Sequence, residues 1–119
     1  MSEVIVVIGD RLGKGQNVGK GVEAAGGKAI VISGMAADMK LGDMMNEVKA
    51  DMGISFCGSG GAGAITAQSK YGYPARYGMR SVEEGLTALR EGKTVLGFGF
   101  NDSEELGRRL TEEFMKIRG

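Results

Sequence analysis

The sequence predicts a three-layer α/β domain, with a mostly parallel sheet of four or five strands and helices on both faces. Three observations predict it. Unbroken β-branched runs such as Val4-Ile5-Val6-Val7-Ile8 suit strands buried on both faces. These runs alternate with segments of helical spacing, the order of βαβ units. Glycine numbers 22 in 119 residues, where ~7% usage would give about 8, and it stands between the segments instead of forming tracts.

Each element follows from local chemistry. The first strand, residues 4–8, stops at Gly9, and a glycine-rich loop leads to a helix over Gln16–Ala25, closed by Gly26-Gly27. Lys28–Ser33 is a second buried strand. Ala37, Leu41, Met44, Met45, Val48 and Met52 then recur at helical spacing, with Gly53 as the stop. Ile54–Cys57 is a short third strand. Ala62–Ser69 forms a small-residue helix, ended by Tyr71-Gly72-Tyr73-Pro74. Ala75–Met79 is a fourth strand, and Ser81 with Glu84 makes a capping box for a helix to Glu91. Thr94–Phe100 is the fifth strand, and Asp102 with Glu105 caps a last helix through Ile117. No repeat or long linker divides residues 1–119, which read as one domain with right-handed crossovers.

Composition narrows the function. Lys plus Arg and Asp plus Glu balance at 15 each, so no net field draws the chain to nucleic acid. Histidine is absent, which removes His triads, His general bases and His-ligated zinc. The single cysteine cannot form an internal disulfide or a Cys-rich metal site. Asp10, Asp38 and Asp43 lack metal-loop spacing, so neither metal nor cofactor is expected. The Met1-Ser2-Glu3 start does not resemble a secretory signal, and no apolar run approaches the ~18 residues of a membrane span. A cytoplasmic location is the expectation.

Ligands of such sheets bind beyond the carboxyl ends of the strands. Three loops compete for that edge: residues 9–15, the turn from Cys57 to Gly63, and Asn101-Asp102. The turn Cys57-Gly58-Ser59-Gly60-Gly61-Ala62-Gly63 carries the sharpest signal. Glycine lets the backbone approach a phosphate, whose charge meets free N–H groups and a positive helix end. Close helix–sheet packing explains the same residues, and both readings stand. A full dinucleotide site needs an acidic residue ending the next strand, but Glu83 and Glu84 fall inside a capped helix. A tyrosine-phosphatase loop would need arginine where Gly63 stands. A nucleotide P-loop around Gly19-Lys20 would need glycine at Lys14 and a hydroxyl at Gly21.

Cys57 at a helix N-terminus could be an activated thiol or a small buried hydrophobe. No histidine stands ready to activate it, which favours packing. Arg11 and Lys14 suit a basic lip around an anion, or simply solvated surface. Arg76 and Arg80 flank Tyr77 and suit carboxylate or phosphate recognition, surface solvation or a subunit contact. Five of the eight methionines lie between Met35 and Met52, where they fill core or an interface. The candidate ligand-binding set is Asp10, Arg11, Lys14, Cys57, Gly58, Ser59, Gly60, Gly61, Gly63, Arg76 and Asn101.

The string Ser55-Phe56-Cys57-Gly58-Ser59, with the glycines after it, resembles the bacterial glycine-rich SFCGS family over nearly the whole chain. Genes of that family tend to lie beside predicted membrane proteins and enzymes of amino-sugar acid breakdown. The resemblance implies an accessory to uptake or catabolism of a phosphorylated or acidic sugar, and it transfers no catalytic residue. Cys57-Gly58-Ser59-Gly60 is also similar to the phosphocysteine turn of the B components of the sugar phosphotransferase system. That turn follows the first strand there and the third strand here.

The leading expectation is a non-catalytic or accessory protein that binds a small anionic metabolite. Its rival is a phosphoryl carrier using Cys57. A third expectation is a structural partner of a membrane transport complex. Small-residue composition adds the expectation of a homo-oligomer.

Overall fold

The computed structural model describes residues 3–10, 15–33, 37–56, 62–99 and 103–118. Ten elements alternate without exception: β1 (Ile5–Asp10), α1 (Gln16–Ala24), β2 (Lys28–Ser33), α2 (Ala37–Val48), β3 (Met52–Phe56), α3 (Ala62–Tyr71), β4 (Ala75–Met79), α4 (Val82–Arg90), β5 (Val95–Phe98) and α5 (Glu104–Arg118). The five strands form one sheet in the order β2-β1-β3-β5-β4, and every pairing is parallel. A parallel sheet needs its crossover helices on the faces, so both sides of the central strands are covered.

Alternation along the strands sorts the core into two layers. Val4, Val6, Ile8, Met52, Ile54, Phe56, Leu96 and Phe98 pack with Val18, Val22, Leu86, Leu89, Leu106 and Leu110, the buried stripes of α1, α4 and α5. Val7 and Val95 point the other way, against Leu41, Met45, Ala64 and Ala67 of α2 and α3. The three layers predicted from the apolar runs are thus present, with α1, α4 and α5 on one face and α2 and α3 on the other.

Close helix crossings explain part of the glycine excess. A Cβ on Gly21 of α1 would collide with the Glu104 carbonyl and stand 2.7 Å from the Arg108 nitrogen. Gly107 of α5 is the counterpart, since a Cβ there would collide with the Val18 carbonyl. The two backbones therefore touch without intervening side chains. In the other layer, Gly42 of α2 sits against Ala67 of α3.

Several boundaries differ from the sequence reading: β1 runs on through Gly9 to Asp10 instead of stopping at Gly9, and β5 spans Val95–Phe98 within the expected 94–100. Met52 begins β3 instead of ending α2, because α2 stops at Val48 and Lys49 takes a left-handed φ of 56°. The Ala50 N–H then donates to the Met45 carbonyl, so a lysine closes this helix where a glycine was expected. Gly53 is consequently a strand residue, packed on Met45. At α5 the hydroxyl of Ser103 accepts the Leu106 N–H at 3.2 Å, so the cap is Ser103; Asp102 lies outside the described residues, and Glu105 pairs with Arg109. β4 carries an irregularity between Arg76 and Met79, with Gly78 at φ 77°. The irregularity moves Met79 to the α4 face while Ala75 keeps the α3 face, although the two are an even number of residues apart.

Candidate functional site

From β1 the chain crosses to β2 on one side, then returns past β1 to β3 on the other. The crevice between the ends of β1 and β3 is therefore the point where strand order reverses, the usual ligand position in open α/β sheets. β5 is the next neighbour of β3. Gly9 pairs with Ser55 and Phe56 with Phe98, so these three strands end side by side. The three loops singled out in the sequence are those that leave β1, β3 and β5. Of the expected ligand set, Arg11, Lys14, Cys57, Gly58, Ser59, Gly60, Gly61 and Asn101 lie outside the described residues. Asp10 is the last residue of β1.

Gly63 lies in the first turn of α3, buried, and its N–H donates to Ser55 Oγ at 3.2 Å. Ser55 is fully buried on the α2/α3 side of a strand that is otherwise apolar. A hydroxyl there would be a liability without a partner, and a first-turn amide is one of the donors a helix leaves unsatisfied. The pair thus pins the start of α3 to the end of β3. The Gly63 amide, expected to face an anion, is committed inside the protein. Ser55 was missed as a site residue. A lone serine in Met52-Gly53-Ile54-Ser55-Phe56 was the only signal, and it does not name the partner.

Arg76 is not brought to this edge. It lies one residue into β4, and its guanidinium stands 3.5 Å from the Glu91 carboxylate just beyond α4, at the amino ends of the strands.

The helix starts at the carboxyl edge differ in charge. α4 opens with Glu83 and Glu84, and the Glu84 carboxylate accepts the N–H groups of Arg80 at 2.6 Å and Ser81 at 3.0 Å. Those bonds, Arg80 first, hold the Glu84 carboxyl below its ordinary range. α5 opens with Glu104 and Glu105, and the second residue of α2 is Asp38. α1 and α3, which follow β1 and β3, have no acidic residue in the first turn, and Gly15 caps α1 without a side-chain bond. The two helix ends flanking the crevice therefore keep their positive partial charge, one on each face of the sheet. An arrangement of this kind stabilises a small anion at the strand ends.

Other polar groups have structural duties. The Lys70 ammonium and Tyr71 hydroxyl both donate to Asp43, at 2.7 Å and 2.6 Å, tying α3 to α2. The Lys70 bond, then the Tyr71 bond, lowers the Asp43 pKa, while Asp43 raises that of both donors. An open groove of about 650 Å³ between α4 and α5 is lined by Leu86, Met115 and mixed charges. Its arginines are already paired, Arg90 with Glu113 and Arg109 with Glu83 and Glu105.

Comparison with known proteins gives a family and a shared fold. The family model described as glycine-rich SFCGS matches residues 4–117. A search of curated proteins gave no match. Among solved structures, the type B ribose 5-phosphate isomerase of Trypanosoma brucei superposes with a TM-score of 0.68 at 18% identity, covering 98% of this chain and 87% of that one. Ribose-5-phosphate isomerase B from Mycoplasma genitalium, with bound ribulose-5-phosphate, gives a TM-score of 0.68 at 16% identity, covering 98% and 85%. At such identities the likeness establishes a shared α/β fold. These matches lend no support to the similarity with phosphotransferase B components. Among the described residues, no helix is long and apolar enough to cross a membrane.

Proposed function

This chain belongs to the glycine-rich SFCGS family, and on that premise we propose that it binds a small sugar phosphate, or a related sugar carboxylate, beyond the ends of β1 and β3. The observation that carries the reading is the charge contrast among helix starts. The first turns of α1 and α3, where the strand order reverses, carry no acidic residue, whereas those of α4 and α5 each carry two glutamates. The anion lies between those two helix ends, with Arg11 and Lys14 supplying charge and residues 57–61 supplying backbone donors. Asp10 ends β1 and Asn101 comes three residues after the end of β5 in the sequence, and both suit the hydroxyls of a sugar. Arg76, held by Glu91, has no part in it.

The solved relatives support the ligand class at the level of the fold, since one of them holds ribulose-5-phosphate. Binding, not isomerisation, is what the reading assigns. Thermal unfolding with ribose 5-phosphate, ribulose 5-phosphate, inorganic phosphate and free ribose tests it. Ligand at 100 times its Kd stabilises by about 2.7 kcal/mol, a shift of several degrees. Stabilisation by the phosphorylated sugars and none by ribose is the expected result. Equal responses to all four, or no response to any, would remove the proposal.

A further inference from the structure

We propose that the free edge of β2, with the adjoining face of α2, is a two-fold docking surface for a second copy of this chain. β2 and β4 are the two edges of the sheet. An open edge presents unpaired N–H and C=O groups, and proteins blunt such edges with proline, charge or a bulge. β4 has all three: Pro74 precedes it, Arg76 lies on it, and its register breaks near Gly78. β2 has none of them between Ala29 and Ile32. Its pairing to β1 is unbroken over six residues, and Ala29, Ile30, Val31 and Ile32 are apolar and only half-buried.

The partly exposed apolar surface continues onto α2. Gly42 meets Ala67 of α3, and Met44 lies about 200° further round the helix, on the side away from α3. Met44 and Val48 share that side and, like Ile30 and Ile32, are partly exposed residues packed against the buried core of the α2/α3 layer. Lys40 lies one turn before Met44 and Glu47 one turn after it. Both are exposed, and neither makes an ion pair among the described residues.

That charge order selects the occupant. A two-fold axis normal to the sheet, near Ile30 and Val31, pairs β2 antiparallel with its copy and sets the two α2 helices antiparallel on one face. Lys40 then meets Glu47 of the partner subunit, twice, about Met44. The Lys28 ammonium groups fall at opposite ends of the paired strands, whereas a parallel pairing would set them against each other. The two β1 strands come to lie three strand spacings apart, about 14 Å. Lysine and glutamate side chains projecting from helices over β1 span such a gap. The interface is isologous and closes after two copies.

Sedimentation velocity of the full chain from about 1 to 100 µM tests this. The expected result is a monomer–dimer equilibrium. Lys40→Glu or Glu47→Lys alone should raise the dimer Kd about tenfold, since each removes two pairs and adds like-charge contacts. Lys40→Glu with Glu47→Lys together should restore it. Both positions are exposed, so circular dichroism should show an unchanged fold. A monomer throughout the range, open-ended aggregation, or a dimer indifferent to the single reversals overturns the proposal. So does a dimer that the double exchange fails to rescue.

Discussion

The N–H of Gly63 donates to Ser55 Oγ, both groups buried, and this bond ties the start of α3 to the end of β3. Ser55→Ala leaves that amide without a partner in a water-free position. A loss of about 1–3 kcal/mol in unfolding free energy is expected, measured by urea denaturation. Affinity for a phosphorylated ligand should fall with it. An unchanged midpoint would mean the amide finds another acceptor.

Gln16→Glu places a carboxylate in the first turn of α1, where none exists. The helix dipole favours it, so stability should rise by about 0.3–1 kcal/mol. Sugar-phosphate affinity should fall, because the carboxylate competes for the same positive end. Calorimetry and thermal melts separate the two effects. A variant that is more stable and binds as tightly as before would place the anion elsewhere.

The α1–α5 crossing tolerates no side chain. Gly21→Ala and Gly107→Ala each drive a methyl into a backbone carbonyl and should destabilise by about 3 kcal/mol or more, or prevent folding. Gly92→Ala is the contrast. Its φ of 91° strains an L residue, but no atom of the described residues lies within 4 Å, so about 1 kcal/mol is expected.

Thr111 is fully buried in α5, and its hydroxyl has no hydrogen-bond partner among the described residues. Thr111→Val keeps the shape and removes the desolvated group. The melting temperature should hold or rise, with a gain of up to about 2 kcal/mol. A clear loss would reveal an unseen partner for the hydroxyl.

The Asp43 pKa is lowered in the folded chain by Lys70 and Tyr71. A depressed carboxylate contributes stability that is present above the unfolded value of 3.8 and lost as pH falls through the folded value. Tyr71→Phe should therefore lower the melting temperature slightly at neutral pH. The difference should shrink in acid below that range. A difference independent of pH would mean that the tyrosine contributes packing alone.

Periodicity and capping made most elements legible before any coordinates. The Ser81–Glu84 box and the glycine after Arg90 and Glu91 behave as their local chemistry demands; the run 4–8 marks β1, but the strand begins at Ile5 and passes through Gly9 to Asp10. Met52 misled because it stands seven residues after Met45, a spacing that suits a helix and also the strand that follows. Lys49 misled because a lysine rarely takes positive φ. Ser103 took the cap expected of Asp102 because adjacent short polar residues serve that position equally well.

By itself, the sequence determined that strands buried on both faces alternate with helices, and hence that the loops after β1, β3 and β5 share one edge. Those are properties of single segments, written in their own exposure pattern. Only the tertiary structure decided that β1, β3 and β5 are neighbours, that β2 and β4 are the edges, that Ser55 holds Gly63, and that Arg76 turns to Glu91 at the amino ends of the strands. Strand order rests on pairings between distant segments whose apolar runs look alike. Nothing local tells one buried strand which of the others it will lie beside.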